Sequence, residues 1–192
     1  MLRRSSTLFI LVVLCGVLFA GCGQFNNFGG NVLKDETAIK NVVKEMKKQA
    51  GTPLVFFRDI SISNNFISFS RQDPRNLEKV DSFIWSTESG WQPPRKVVLL
   101  DEEKEFLNDL IFRVDDVKWE ALPVFVANAE KKAKEEGIKE GKIYTVTVHW
   151  DVAKGRLSFE TSVVGKGNNA FVTGEVITGG VTKIEIKEGL FN

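Results

Sequence analysis

The chain has 192 residues, 26 basic and 25 acidic side chains and one histidine, for a formal charge of +1. Apolar and charged fractions of 43% and 27% are ordinary for a folded protein and exclude wholesale disorder. The near-balance of charge removes the electrostatic basis for nucleic-acid binding.

The chain opens with Arg3 and Arg4, followed by an unbroken apolar run from Leu8 to Ala20. That run is 13 residues long. It fits the core of an export signal and falls short of the roughly 20 apolar residues of a spanning helix. The small pair Ala20-Gly21 follows, and then Cys22. Residues 1–21 thus read as a signal helix.

Phe19-Ala20-Gly21-Cys22 resembles a bacterial lipobox, with Phe19 where Leu is usual. The resemblance implies cleavage after Gly21 and a diacylglyceryl thioether on Cys22. Cys15 is a poor rival, since bulky Leu14 precedes it. Loss of residues 1–21 leaves 24 basic against 25 acidic side chains. It also leaves no cysteine besides the acylated one, so the body holds together without a disulfide. Gly23 follows the cysteine. By resemblance to other lipoproteins, a residue other than Asp there implies the outer membrane in a two-membrane bacterium, with the body facing the periplasm.

Residues 22–34 are rich in Gly and Asn without a period and read as a flexible tether. Phe25 and Phe28 are stray aromatics within it. Asp35 then opens a helix. Ile39, Val42, Val43, Met46 and Ala50 recur at helical spacing, with Lys40, Lys44, Lys47 and Lys48 opposite, and Gly51 and Pro53 end it. The lysine face is expected to be solvated.

Four strand-like runs follow: Leu54–Ser63, Phe66–Arg71, Val80–Thr87 and Trp91–Leu100. Pro93 and Pro94 carry no N–H, so the fourth run starts late or lies on an edge. Residues 101–114 read as a connector with a short helix. Asp115-Asp116 resembles a helix start, and the helix proper is expected from Leu122 to Glu136, with Gly137 ending it. Pro123 fits in its first turn. Four more strand-like runs complete the chain: Lys142–Trp150, Arg156–Val164, Asn169–Ile177 and Val181–Lys187. In the first of these Tyr144, Val146, Val148 and Trp150 share one face.

The order helix-then-four-strands occurs twice, with matching elements 86–90 residues apart. Ile39 matches Phe125, Phe69 matches Phe159 and Phe83 matches Phe171. The expected fold is therefore α+β: unit 1 (35–100) and unit 2 (115–188), each with a helix across its own antiparallel sheet. This order resembles tandem PepSY-like or beta-lactamase-inhibitor-like modules. Such modules bind or inhibit proteins, which implies a protein partner and no bond-breaking chemistry.

No constellation points to catalysis, a metal or a cofactor. His149, alone in the sequence, shares the polar strand face with Thr145 and Thr147 and reads as solvated. Asp115 and Asp116, even joined by Asp73 or Asp81, lack the spacing of a calcium loop and read as helix caps. Gly165 to Asn169 precedes a strand and reads as a hairpin loop rather than a phosphate cradle. Ser82, Ser86 and Ser89 lack a nucleophile elbow. Trp85, Trp91, Trp119 and Trp150 read as core residues, with a partner surface as the alternative. A hydrolase working through carboxylates alone requires two acids across a cleft. The expectation is a lipid-anchored envelope module that binds and does not catalyse, with an inhibitor or regulator of an exported enzyme as the alternative.

Overall fold

The computed structural model describes Phe28 and residues 30–188. The first helix, α1 (Glu36–Ala50), begins where the sequence places it. The Asp35 carboxylate accepts from the amides of Thr37 at 2.7 Å and Ala38 at 3.0 Å, satisfying two otherwise orphaned donors. Gly51 ends the helix at φ 81°, a conformation that favours glycine. Arg71 donates to the Ala50 carbonyl, placing a cation at the negative end of the helix dipole.

The strands are β1 (Val55–Ser63), β2 (Phe66–Asp73), β3 (Asn76–Ser86), β4 (Gly90–Trp91) and β5 (Arg95–Lys96). Between the units lie α2 (Asp101–Glu105), a 3-10 turn (Leu107–Leu110), β6 (Ile111–Arg113) and a second 3-10 turn (Val114–Asp116). Unit 2 comprises α3 (Ala121–Glu135), β7 (Lys142–Asp151), β8 (Arg156–Val164), β9 (Asn168–Glu175) and β10 (Val181–Glu188). The α+β class and the helix-then-strands order hold. The prolines reduce the fourth run of unit 1 to two fragments at the sheet edge.

The expectation of one sheet per helix requires correction. All ten strands form one antiparallel sheet, in the order β10-β9-β8-β7-β1-β2-β3-β4, with β5 on β3 and β6 on β1. The units join where β1 pairs with β7, from Asp59↔His149 to Ser63↔Thr145. The middle pair, Ser61↔Thr147, links residues 86 apart, the same offset that relates the helices. A pseudo-two-fold axis therefore passes through this pair.

β1 serves two neighbours on one edge. Val55, Phe56 and Phe57 pair with β6, and residues from Asp59 onward pair with β7. The switch falls at Arg58, which has φ 63° and makes an ion pair with Glu103 at 2.7 Å.

Both helices pack on the same face of the sheet, over a continuous core. Phe125 of α3 stacks on Phe159 at 5.4 Å, and Phe69 stacks on Phe83 at 5.1 Å. Each such buried side chain contributes about 1.5–3 kcal/mol. Ile39 and Phe125 both lie in this core, as do Phe69 and Phe159. The third match fails. Phe83 faces the core, whereas Phe171 pairs with Ser162 on the opposite face, and its neighbour Val172 fills the core position.

The body also begins earlier than the sequence places it. Val32 and Leu33, assigned to the tether, are each 1% exposed. Asn31 organises them in a turn: its carbonyl accepts from Lys34 and Asp35, and its side chain from Leu33. Phe28 lies edge-on to Trp85 at 4.7 Å.

Gly174 tests the seat of α3 on β9. A Cβ at this position would lie 2.5 Å from the Phe125 ring and 2.8 Å from the Gly180 carbonyl. Gly174→Ala is expected to lower stability in urea unfolding by about 1–3 kcal/mol through overpacking. An unchanged midpoint would mean that Phe125 does not press on β9.

Candidate binding face

Side chains on a strand alternate between faces. With Ile60, Ile62, Ile67, Phe69, Phe83, Trp85, Val146, Val148, Phe159, Val163, Ala170 and Val172 turned to the helices, the intervening residues form the other face. That face is paved with hydroxyls: Ser61 on β1, Ser68 and Ser70 on β2, Ser82 and Ser86 on β3, Thr147 on β7, Ser158 and Ser162 on β8, and Thr173 on β9. One row crosses the sheet as Lys183–Thr173–Glu160–Thr147–Ser61–Ser68–Ile84. At its centre the Ser61 and Thr147 hydroxyls lie 3.4 Å apart.

The two units expose this face differently. Over unit 1 the end of the unit and the connector together lay Val97, Leu99, Leu107, Leu110 and Ile111 on Phe57 and Val80, forming a second, smaller apolar cluster. Over unit 2 the sheet lies open in two adjoining depressions of about 350 and 370 Å³. The first runs from Asp59 and His149 to Tyr144 and Ser162, and the second from Asp151 and Arg156 to Thr182 and Lys183. Glu160 and Phe171 line both.

The site's polar pair straddles the joint between units. Asp59 and His149 are opposite in the β1–β7 ladder, with His149 Nδ1 2.6 Å from Asp59 Oδ1. A carboxylate only accepts, so Nδ1 carries the proton of this contact. Both side chains remain accessible, at 39% for His149 and 45% for Asp59. Ser158, opposite His149 on β8, directs its hydroxyl to Glu160 at 3.4 Å. Asp59 and Glu160 lie on either side of β7 and one row apart, since Asp59 is in line with His149 and Ser158, and Glu160 with Thr147.

A bulge corrects the expected phase of β7. From Ile143↔Val163 to Val146↔Thr161 the strand advances three residues against two. The extra residue turns Tyr144 out to the open face, where it is 62% exposed, while Ile143 packs toward the core. The Thr161 hydroxyl donates to the Thr145 carbonyl at 2.7 Å, supporting the bulge.

The sequence-derived candidates separate as follows. Cys22 and Gly21 lie outside the described residues, as does Phe25. His149 occupies the expected polar face with Thr145 and Thr147, but it is held by Asp59, 90 residues away in the chain. Asp115 and Asp116 do not cap α3. Asp116 accepts from the Arg113 amide at 2.8 Å, Asp115 pairs with Lys47 at 3.3 Å, and α3 starts after Glu120 without a side-chain cap. A 3-10 turn and residues 117–120 intervene, because Trp119 must seat in the core and bond the Val114 carbonyl at 3.0 Å.

Asp73 and Asp81 share Lys79, at 3.5 and 3.1 Å, apart from that pair. Among the described residues no group of three or more His, Cys, Asp or Glu could hold a metal ion. Gly165 to Gly167 forms the β8–β9 hairpin loop, with Asn168 and Asn169 opening β9. Ser86 and Ser89 bond each other at 2.8 Å in the β3–β4 turn, and Ser82 stands on the hydroxyl face. Trp85 and Trp119 are buried, and Trp91 and Trp150 pack against the same core. Among the described residues no helix is long and apolar enough to cross a membrane.

Charges on the open face are largely matched. A hydrogen bond from Lys183, then its charge, holds the Glu185 carboxyl below the usual glutamate value. Lys154 does the same for Asp151. A depressed carboxyl contributes stability above its unfolded pKa and loses it as pH falls through the folded value. In an NMR pH titration Glu185 is therefore expected to titrate below an ordinary glutamate, and Lys183→Ala should bring it back up. An unmoved midpoint in that variant would contradict the pairing.

No family model matches the chain, and no curated protein matches it. Among solved structures, a candidate lipoprotein from Clostridium difficile 630 superposes with a TM-score of 0.56 at 12% identity. The match covers 78% of this chain and 92% of that one. At this identity the likeness is one of fold: the helix-bearing sheet described above has a counterpart in that protein.

Proposed function

We propose that this chain is a lipid-anchored envelope lipoprotein whose body is a non-enzymatic binding module, and that it offers the open sheet face of unit 2 to an envelope protein partner. The carrying observation is the pair of depressions on that face. They adjoin around Glu160 and Phe171, while on unit 1 the segment from Val97 to Ile111 covers Phe57 and Val80 on this same face. Phe171 and Tyr144 supply apolar anchors, and the ring of paired charges supplies a polar rim.

The anchor belongs to the same reading. The pattern Phe19-Ala20-Gly21-Cys22 supports acylation at Cys22, and Gly23 supports the outer membrane with the body toward the periplasm. The lipoprotein description of the structural neighbour agrees. Two or more acyl chains hold a protein on a bilayer where one holds it only transiently. Regulation or inhibition of an exported enzyme is the second reading. It draws on the resemblance to inhibitor-like modules and on the unbroken sheet that joins the two units. A carboxylate hydrolase would use Asp59 and Glu160, which line one depression. Their solvent access and their existing His149 and Ser158 partners argue for binding instead.

Two experiments follow. The mature N-terminus should carry a diacylglyceryl mass on Cys22, and Cys22→Ala should release the protein from membranes. An unmodified thiol would remove the anchor. In crosslinking pull-downs from envelope extracts, Phe171→Ala with Glu160→Lys should weaken partner capture roughly tenfold or more, as loss of a buried anchor does. Capture unchanged in a variant of unaltered stability would place binding elsewhere.

A further inference from the structure

The two edges of the sheet differ. At one end β4 and β5 are two residues each and are separated by Pro93 and Pro94, which blunts that edge. At the other end β10 pairs with β9 from Val181↔Gly174 to Glu188↔Asn168, and among the described residues no strand occupies its far side. A strand paired on one side presents a row of N–H and C=O groups on the other. Ile186, toward the C-terminal end of this edge, is 42% exposed.

The charges along β10 restrict what can pair there. Lys183, Glu185 and Lys187 oppose Thr173, Phe171 and Asn169 on the hydroxyl face, and Ile184 and Ile186 oppose Val172 and Ala170 on the helix side. An antiparallel mate of the same sequence must keep faces matched, so its two-fold axis falls on a residue. An axis at Glu185 sets Glu185 against itself and Lys183 against Lys187, which is repulsive. An axis at Ile184 engages the irregular step between Val181 and Lys183. An axis at Ile186 uses the regular part of the strand. It covers Ile186 with its own copy and sets Glu185 against Lys187 twice.

We infer that a second copy of this chain pairs antiparallel with the free edge of β10, with the two-fold axis at Ile186, making one sheet of two ten-stranded halves. Lysines usually guard such edges. Here each guard at 187 meets a glutamate of the mate, so the sequence that repels unrelated strands accepts its own.

The absence of cysteine from residues 23–192 supplies a direct test. Directly opposed residues in an antiparallel pair have Cβ atoms about 4.5–5.5 Å apart, a separation a disulfide can bridge with a small shift. In the full mature protein Ile186→Cys should give a covalent dimer on mild oxidation. Ile177→Cys, at a position 58% exposed off the strand, should stay at the background of the parent chain. Adding Lys187→Glu to Ile186→Cys should lower dimer formation roughly three- to tenfold, the size expected of two cross-strand charge pairs. Further adding Glu185→Lys should restore it. The inference fails if Ile186→Cys cross-links no better than Ile177→Cys, or if Lys187→Glu changes nothing. A parent chain that cross-links through position 22 would count against the acyl anchor alone. The excess of Ile186→Cys over Ile177→Cys would still decide the pairing.

Discussion

The ladder between β1 and β7 is the constraint on which the rest of this structure depends. It turns two helix-plus-sheet units into one sheet with one core. Separate units would each leave a long strand edge and half a core open to water. Pairing β1 with β7 removes both edges in one step and lets α1 and α3 pack side by side on a common face. The same ladder builds the open face, because it sets Asp59 beside His149 and Ser61 beside Thr147.

Much of this was legible from residue order. The helices declared themselves by apolar spacing and by Asp35, Gly51 and Gly137, whose roles are local. The hairpin loop at Gly165 was readable for the same reason. What escaped were features set by distant partners or by a single inserted residue. Tyr144 leaves the core side because of one bulge, and a strict two-residue period cannot reveal it. Phe171 matches Phe83 in spacing but stands one residue out of phase, with Val172 in the core instead. Asp59 gained importance only from His149, 90 residues away. Val32 and Leu33 looked like linker, since a two-residue apolar step carries no period, yet the Asn31 turn folds them into the core.

The division of labour between the faces follows from those same residues. One face holds the aromatics and aliphatics that stabilise the body. The other holds hydroxyls and paired charges, which contribute little to stability in water and remain available for contact. On unit 1 the segment from Val97 to Ile111 covers part of that second face, at Phe57 and Val80. Phe28 and the Asn31 turn tie the start of the described chain to the core of unit 1.

Amide hydrogen exchange on the full chain, read by mass spectrometry, tests the joint most directly. A single sheet predicts that residues 59–63 and 145–149 exchange in the slowest class and open together, with both units sharing one global opening. Early exchange of those two segments, with each unit opening at its own rate, would contradict the shared core.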